Sequence, residues 1–449
     1  MALTGWERAD FRTLNDLSNG NKVRRFGGGH LIHGTGVNMG RSIAATALLS
    51  LLLGSQTASA AGFYLSEVGT PGSLGTGGVA NPTNTWGADA SWTNPAGMTA
   101  LEERSIVAGF QVIAPKIEFD TKLAEAGGDD GGNAGEVAAV PSFFYATPVN
   151  ERLHFGFSVT GPMGGGIDYG NNFAGRYAVQ DVTLQGLGIT PSLGYRVNDR
   201  LSIGGGVSMI YTVMSQNIAL RNPGTVGDGQ VRFEDLDDIG FQGILGLTYK
   251  ITDRALLGVV YRSEADVNLD GKIKFRNAVL PLPGKSSLSI DWTNPQWLEA
   301  GLRFDLKDDL RLFFNAGWQD WSEFSDNVLS VNNGKTSVLN RNWRDTWHAG
   351  VALGGGAEGE PNVWSVGVSY DSSPVRDKDR TFDFPVDETW KLSASYSWVT
   401  KDGLDFAIGS TLYLVGDAPI DQTSQGVRAA GDFDSNLLWF VGGALRYEF

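Results

Sequence analysis

Beyond residue 60 the chain holds two histidines, His154 and His348, and no cysteine anywhere. Disulfides and thiolate chemistry are excluded, and a metal site built from several imidazoles has no ligands to draw on. No Gly-x-Ser-x-Gly run offers a nucleophile on a strand-to-helix turn. Asn333-Gly-Lys-Thr336 imitates the end of a phosphate-binding loop, but Leu329 stands where that motif needs glycine, so the segment reads as a loop tip. An enzyme, a metal and a cofactor are therefore not expected. What remains is a small set of charges on alternating stretches. Arg262 and Glu264 oppose Leu257, Val259 and Tyr261; Arg344 and His348 oppose Trp343, Trp347, Ala349 and Val351; Asp371 opposes Trp364, Val366, Val368 and Tyr370. Such charges pair with one another or onto a neighbouring segment. Alternatively, a guanidinium receives a carboxylate ligand, whose two oxygens match its fork of donors. Arg344 is the first candidate for that second role and Arg176 the next, with Arg262 and the aromatic Phe63 behind them.

The elements that position these residues are strands. Leu201, Ile203, Gly205, Val207, Met209, Tyr211 and Val213 alternate with Ser202, Gly204, Gly206 and Ser208, and side chains in a strand alternate faces. Fourteen such segments run at about 104–119, 139–149, 152–160, 183–197, 200–219, 233–251, 254–272, 286–305, 309–325, 340–355, 361–372, 387–400, 403–415 and 436–449. Their connections alternate in length. Short turns fall at 150–151, 198–199, 252–253, 307–308, 356–360 and 401–402, with longer links between them. Short periplasmic turns and long extracellular loops mark a bacterial outer-membrane barrel. Six turns and seven loops join fourteen strands with none left over. The last strand, ending in Phe449, has Tyr447, Leu445, Val441 and Trp439 on one face and Glu448 and Arg446 on the other. That pattern suits a strand between lipid and a wet lumen, and Phe449 with Tyr447 reads as a signal for barrel assembly. The expected fold is all-β, a 14-stranded antiparallel transmembrane β-barrel.

The front of the chain is different. Ile43–Leu53 is an apolar run too short to cross a bilayer as a helix. Arg41 precedes it and Ala58-Ser-Ala60 follows with the small-x-small pattern of a cleavage site. Residues 39–60 read as a signal peptide, and 1–38 as an upstream extension from a mis-assigned start. Residues 61–103 are rich in Gly, Ala, Asn and Thr, yet carry Phe63, Tyr64, Leu65, Trp86 and Trp92. Aromatics in so polar a segment need shelter, and the barrel lumen is the largest available, so this stretch reads as a plug ahead of a barrel at 104–449. The net charge of −15 argues against nucleic acid as a partner.

Several motifs, in order, resemble the long-chain fatty-acid and aromatic-hydrocarbon transporter family of Gram-negative outer membranes (FadL-type). They are Ala61-Gly-Phe63, Asn94-Pro95-Ala96, Gly175-Arg176-Tyr177, Tyr261-Arg262-Ser263-Glu264, Trp318-x-x-Trp321-Ser322, Tyr370-Asp371-Ser372-Ser373-Pro374-Val375 and the terminal Phe449. The resemblance implies passive uptake of hydrophobic small molecules, captured in the lumen and released through a lateral gap where the third strand kinks beside the plug. Gly161-Pro162-Met163-Gly164-Gly165-Gly166 ends that strand here. Proline cannot donate to a ladder and glycine runs favour bulges, so pairing should fail at Gly161 and Pro162. Asn94, Pro95 and Asp371 are expected at the gap. The partners implied are the ligand, outer-membrane lipid and the barrel-assembly machinery. A general diffusion porin is the main rival reading, and a barrel-type lipid hydrolase a more distant one. The third and fourth extracellular links, about thirteen residues each, are shorter than the resemblance implies. Removing Phe449 should lower the folded, heat-modifiable fraction on a gel while synthesis is unchanged; equal folded yields would contradict the assembly role.

Overall fold

The computed structural model describes residue 65 and residues 67–449, apart from 223, 225–226, 280–284, 332–334, 357–361 and 402. The expected upstream extension (1–38), the signal peptide (39–60) and Phe63 lie outside the described residues. Nineteen strands are present among the described residues. They are β1 (Ser105–Ala124), β2 (Ala138–Pro148), β3 (Leu153–Asp168), β4 (Asp181–Arg196), β5 (Leu201–Leu220), β6 (Gly229–Thr252) and β7 (Ala255–Arg262). There follow β8 (Ala265–Arg276), β9 (Lys285–Asn294), β10 (Trp297–Lys307), β11 (Leu310–Gln319), β12 (Asp326–Val331) and β13 (Lys335–Asn340). The series ends with β14 (Thr346–Gly355), β15 (Trp364–Asp371), β16 (Thr389–Val399), β17 (Asp405–Val415), β18 (Ile420–Ser424) and β19 (Val427–Glu448).

Fourteen of these, β1–β7, β10, β11, β14–β17 and β19, form one closed antiparallel barrel. Closure is made by β19 against β1, from Glu448 opposite Ser105 to Ala429 opposite Ala124. Phe449 and Arg104 then exchange both backbone hydrogen bonds, at 2.9 and 3.2 Å. At this seam no edge is left, as the bilayer demands of a spanning sheet. The outer face carries Leu193, Ile203, Val207, Phe241, Leu245, Leu392, Ile408 and Val441, all exposed. A continuous apolar belt of this kind suits lipid and not water. Aromatics bracket it. Trp364, Tyr396, Trp398, Phe406, Tyr447 and Phe449 sit at the short-turn end, and Trp347, Trp390 and Trp439 sit nearer the long loops. Trp390 and Trp398 are separated by about 26 Å of strand at about 3.3 Å per residue, which a tilt of about 40° reduces to about 20 Å, close to the apolar band of such barrels.

The remaining five strands decorate the loop end, and here the structure departs from the sequence reading. The segments expected as two continuous strands, 254–272 and 286–305, each break once. The barrel pairing of β7 with β10 stops at Arg262 opposite Trp297, and that of β8 with β9 begins at Ala265 opposite Asn294. Pro295, which has no N–H to give the ladder, lies in the break. The resulting hairpin β8–β9 packs on the upper half of β6, so the fourth link is a folded extension. The segment expected as a strand from 340 starts only at Thr346. Asn342 has φ +50°, which resets the alternation, and hairpin β12–β13 fills the link before it. Trp343 is consequently buried and not lipid-facing.

Leu65 and residues 67–101 lie inside the barrel and are pinned around its circumference. Gln111 donates to the Glu67 carbonyl, Thr411 to Leu74, Arg446 to Trp86, Ser192 to Ser91 and Asn94 to Leu247, while His154 meets the Leu101 carbonyl at 2.9 Å. Lumen-facing glycines let the plug backbone come this close. A Cβ at Gly258 would run into the Pro82 carbonyl, and one at Gly246 into the Asn94 side chain. Deleting residues 65–100 should leave a barrel that still assembles but conducts ions in planar bilayers; a deletion variant as ion-tight as the parent would show that something else closes the lumen.

Candidate functional site

Two of the charges picked out by strand parity, His348 and Asp371, belong to one network. It begins on the plug at Glu67, which is fully buried. Tyr413 on β17 donates to one carboxylate oxygen of Glu67, and Lys391 on β16 reaches the other at 3.2 Å. The Lys391 ammonium also meets Asp371 on β15 at 3.0 Å. Asp371 faces His348 Nδ1 on β14 at 2.8 Å, His348 Nε2 faces Asn315 Oδ1 on β11 at 3.1 Å, and Asn315 donates to Glu299 on β10 at 2.6 Å. Charges of both signs alternate through Glu67, Lys391 and Asp371, the arrangement that makes buried ions tolerable. Arg262 on β7 extends the ring. Its guanidinium lies over the Trp92 ring at 4.3 Å and the Trp297 ring at 5.2 Å, and donates to the Trp92 carbonyl.

Of the residues expected to bind a ligand, Arg262 is therefore engaged with the plug. Arg176 is engaged with loops. It donates to Asp228 at 3.0 Å and to the carbonyls of Gly127, Phe173 and Ala126, tying three links together. Arg344 is exposed, lies before β14 begins and donates to the Ser373 carbonyl at 3.2 Å. The parity that would carry it into the lumen ends at Thr346. Glu264 is exposed and lies past the end of β7, so it does not share the inward face of Arg262.

The wall is incomplete at one place. Strand β3 pairs with β2 only from His154 to Val159, leaving Ala138–Ser142 of β2 without a partner on that side. With β4 the pairing of β3 continues, through a bulge between Thr160 and Met163 that contains Gly161 and Pro162. An isolated bridge from Gly135 to Ile167 closes the wall again above. The opening is about five residues tall, or some 17 Å along the strand. Val159 lies about 20 Å along β3 from Leu153, which puts the opening in the loop-side half of the apolar band. The start of the plug occupies it. The Leu65 amide donates to the Pro162 carbonyl at 2.9 Å, and Leu65, Val140 and Met163 belong to one buried cluster. Two of the expected gap residues are elsewhere. Asn94 hydrogen-bonds Leu247 of β6, and Pro95 packs on Gly204 of β5, because the glycines there admit the plug backbone. Asp371 lies on β15 and reaches the opening only indirectly, through Lys391 and Glu67.

Above the plug the loop end is filled with rings. Phe324 stands 4.8 Å from Trp292, 4.7 Å from Trp343 and 5.8 Å from Phe384, with Trp321 5.2 Å from Trp343. A second group gathers Phe382 and Phe173, each with Phe119, whose ring centroid is 5.2 Å from that of Phe382. Offset and edge-to-face pairs of this kind each add about 0.5–1.5 kcal/mol beyond the area they bury. Within the first group lies a guanidinium that strand parity did not single out. Arg341 is 5% exposed, sits 4.7 Å from the Phe384 ring, and holds Asp383 at 2.7 Å and Asn327 at 2.6 Å. It escaped notice because the strand expected from 340 put it on the outward face with Trp343 and Trp347, whereas in the structure it lies in the link before β14. The one sequence signal was Phe382-Asp383-Phe384, two rings in a loop otherwise dense in Asp, Lys and Arg. At the turn end a different cavity, of about 80 Å³, lies between plug and wall and is lined by Ser73, Asn84, Asp89, Ser395 and Arg446. Burial pushes the Asp89 carboxyl above its ordinary value in spite of hydrogen bonds from Asn84 and Thr70.

A sequence profile described as "Outer membrane protein transport protein (OMPP1/FadL/TodX)" matches residues 51–449. The long-chain fatty acid transport protein of Escherichia coli O6:H1 is 23% identical over 447 residues, covering 90% of this chain and 98% of that protein. Among solved structures, a Pseudomonas aeruginosa FadL homologue superposes with a TM-score of 0.77 at 22% identity, over 86% of this chain and 99% of the other. The Ralstonia pickettii toluene transporter TbuX gives 0.62 at 20% identity over the same shares, so the architecture is common to both. Replacing Lys391 by Met should strand the Glu67 and Asp371 carboxylates and destabilise the plugged barrel by about 3–5 kcal/mol. The measurement is the temperature of the heat-modifiable shift on a gel, and Glu67→Gln added to Lys391→Met should restore part of it. An unchanged shift for the single variant would mean that the network does not hold the plug.

Proposed function

The chain belongs to the OMPP1/FadL/TodX family of outer membrane transport proteins, and from that premise we propose that it passes hydrophobic small molecules across the outer membrane by lateral release. The substrate class is long-chain fatty acids or related hydrocarbons, the cargo named for the relatives. A solute arriving outside enters the aromatic chamber at the loop end, moves past loop 372–388, and leaves between β2 and β3 into the bilayer. The observation that carries this reading is the missing β2–β3 pairing above Val159, at membrane depth and stoppered by Leu65.

The energetics suit passive flow. Burying apolar surface is worth about 25 cal/mol per Å² whether the cover is protein or lipid. A solute with about 200 Å² of apolar surface therefore gains about 5 kcal/mol in the chamber and a similar amount in the bilayer. Neither state traps it, and flow follows the concentration gradient. A straight aqueous pore would leave that surface wet throughout. Diffusion through an open lumen, as in a porin, is opposed by the plug that fills it. Outer-membrane lipid is then the acceptor, and the barrel-assembly machinery the reader of Phe449 and Tyr447.

The test closes the opening chemically. A Cβ at Gly161 lies 3.9 Å from that of Val140, within the span of about 3.5–4.5 Å that a disulfide takes. The chain has no other cysteine to interfere. Cells carrying Val140→Cys with Gly161→Cys should take up a radiolabelled fatty acid or alkylbenzene several-fold more slowly when oxidised, and recover on reduction. Uptake indifferent to the staple would place the route straight down the lumen.

A further inference from the structure

The loop between β15 and β16 turns back on itself at Thr381–Phe384, where Phe384 N–H donates to the Thr381 carbonyl at 3.2 Å. The turn points three consecutive side chains inward. Phe382 packs edge-on against Phe119 and Phe173, Phe384 against Phe324 and Trp343, and Asp383 between them reaches the Arg341 fork. The carboxylate takes both terminal nitrogens, Nη2 at 2.7 Å and Nη1 at 3.3 Å, while Nε is held by Asn327 at 2.6 Å. Asp383 is 8% exposed and Arg341 5%. Burial pushes the Asp383 carboxyl up, but the Arg341 guanidinium outweighs this and holds it below its ordinary value, so it is an anion at neutral pH. The gap between Asp383, Phe384, Val386 and the end of β3 at Ile167 is about 10 Å³, at most the size of one water. Whatever enters the chamber must displace this loop.

We propose that the Phe382-Asp383-Phe384 turn is a built-in stand-in for the ligand, and that Asp383 occupies on Arg341 the place of a carboxylate head group. The inference rests on the transport reading above and adds to it the class of ligand that the chamber selects. An apolar chain bearing a carboxylate replaces the inward side-chain contacts of the turn: its tail replaces the two rings, and its two oxygens take the same guanidinium fork. A neutral hydrocarbon replaces the rings but offers nothing to Arg341, so Asp383 has no competitor. Exchange at Arg341 thus discriminates between anionic amphiphiles and neutral oils, and Asp383 sets the threshold that the anion must beat. Neutralising Asp383 removes an internal competitor; removing Arg341 removes the prize itself.

The experiment compares oleate with methyl oleate, which share a tail and differ in charge, by quenching of the chamber tryptophans in purified full-length protein. Asp383→Asn should tighten oleate binding by roughly tenfold, the scale of one charge-assisted hydrogen bond, and leave methyl oleate within about twofold of the parent by the same scale. Arg341→Gln should abolish the preference for oleate. Equal tightening of both lipids in Asp383→Asn would show only a loosened loop, and an unchanged oleate preference in Arg341→Gln would move the head-group site elsewhere; either overturns the proposal. The unmodified protein gives a second reading that no folding defect can obscure. Hydrogen exchange at the Phe382–Phe384 amides should quicken when oleate binds, and oleate bound with that turn still protected would sink the idea. A parent protein that binds neither lipid would instead count against the transport reading itself.

Discussion

In hydrocarbon a backbone N–H or C=O without a partner has no water to turn to, and each such group is worth several kcal/mol. The wall therefore closes on itself, down to the pair of hydrogen bonds between Arg104 and Phe449. Strand alternation, the outward belt and the enclosed plug all follow from that closure. The rule is relaxed at one stretch, β3 beyond Val159, and the sequence makes the relaxation tolerable. Pro162 has no N–H to leave unpaired, the bulge keeps β3 on β4, and the orphaned Pro162 carbonyl is taken by the Leu65 amide. The first described residue of the plug is thus both the stopper of the opening and the donor that satisfies its edge. Opening the wall and moving the plug are the same event at that hydrogen bond.

The lumen divides its interactions by height. Among the strands the plug is held by hydrogen bonds and, at the loop-side ends of β14, β15 and β16, by the Glu67–Lys391–Asp371–His348 chain of charges. Beyond the strand ends the links pack many of their contacts between rings. This separation has a consequence for what can move. Unpairing a buried ion is expensive and all-or-none, whereas an aromatic ring displaced by another apolar group exchanges one set of dispersion contacts for a similar one. A hydrophobic solute can therefore work its way among the rings of the links without disturbing the chain of charges beneath them. The ion pair of Arg341 with Asp383 is set between the two rings of a single turn, and its position makes it a point of discrimination between solutes and not an anchor.

Strand count and barrel closure were legible because period-two alternation and the turn–loop parity are local signals repeated along the chain, and the plug because aromatics in a polar segment need shelter. So was the loss of pairing at Gly161-Pro162, since proline removes a donor wherever it stands. The folded loops were less legible. Hairpins β8–β9 and β12–β13 continue or reset the alternation of their neighbours, and only Pro295 and the positive φ of Asn342 mark the breaks, one of which is invisible before the backbone is known. The charges show the limit most clearly. Parity put His348 and Asp371 on an inward face but could not say that Lys391 and the plug's Glu67 would complete them. It also carried Arg344 inward, where the strand has not yet begun, and passed over Arg341 three residues earlier.

A barrel of fourteen strands is wide enough to leak, and an unplugged lumen would pass ions along with solute. Filling the lumen removes the leak but also removes the path, unless the solute makes its own. The packing at the loop end meets both demands. The gap beside Phe384 holds at most a water and is lined mainly by apolar side chains that offer it few hydrogen bonds. An apolar solute needs no wet route, because each step replaces a ring with a tail. The opening at β3 then matters more than any channel diameter, for a solute that never re-enters water on its way out has no reason to carry water or ions with it.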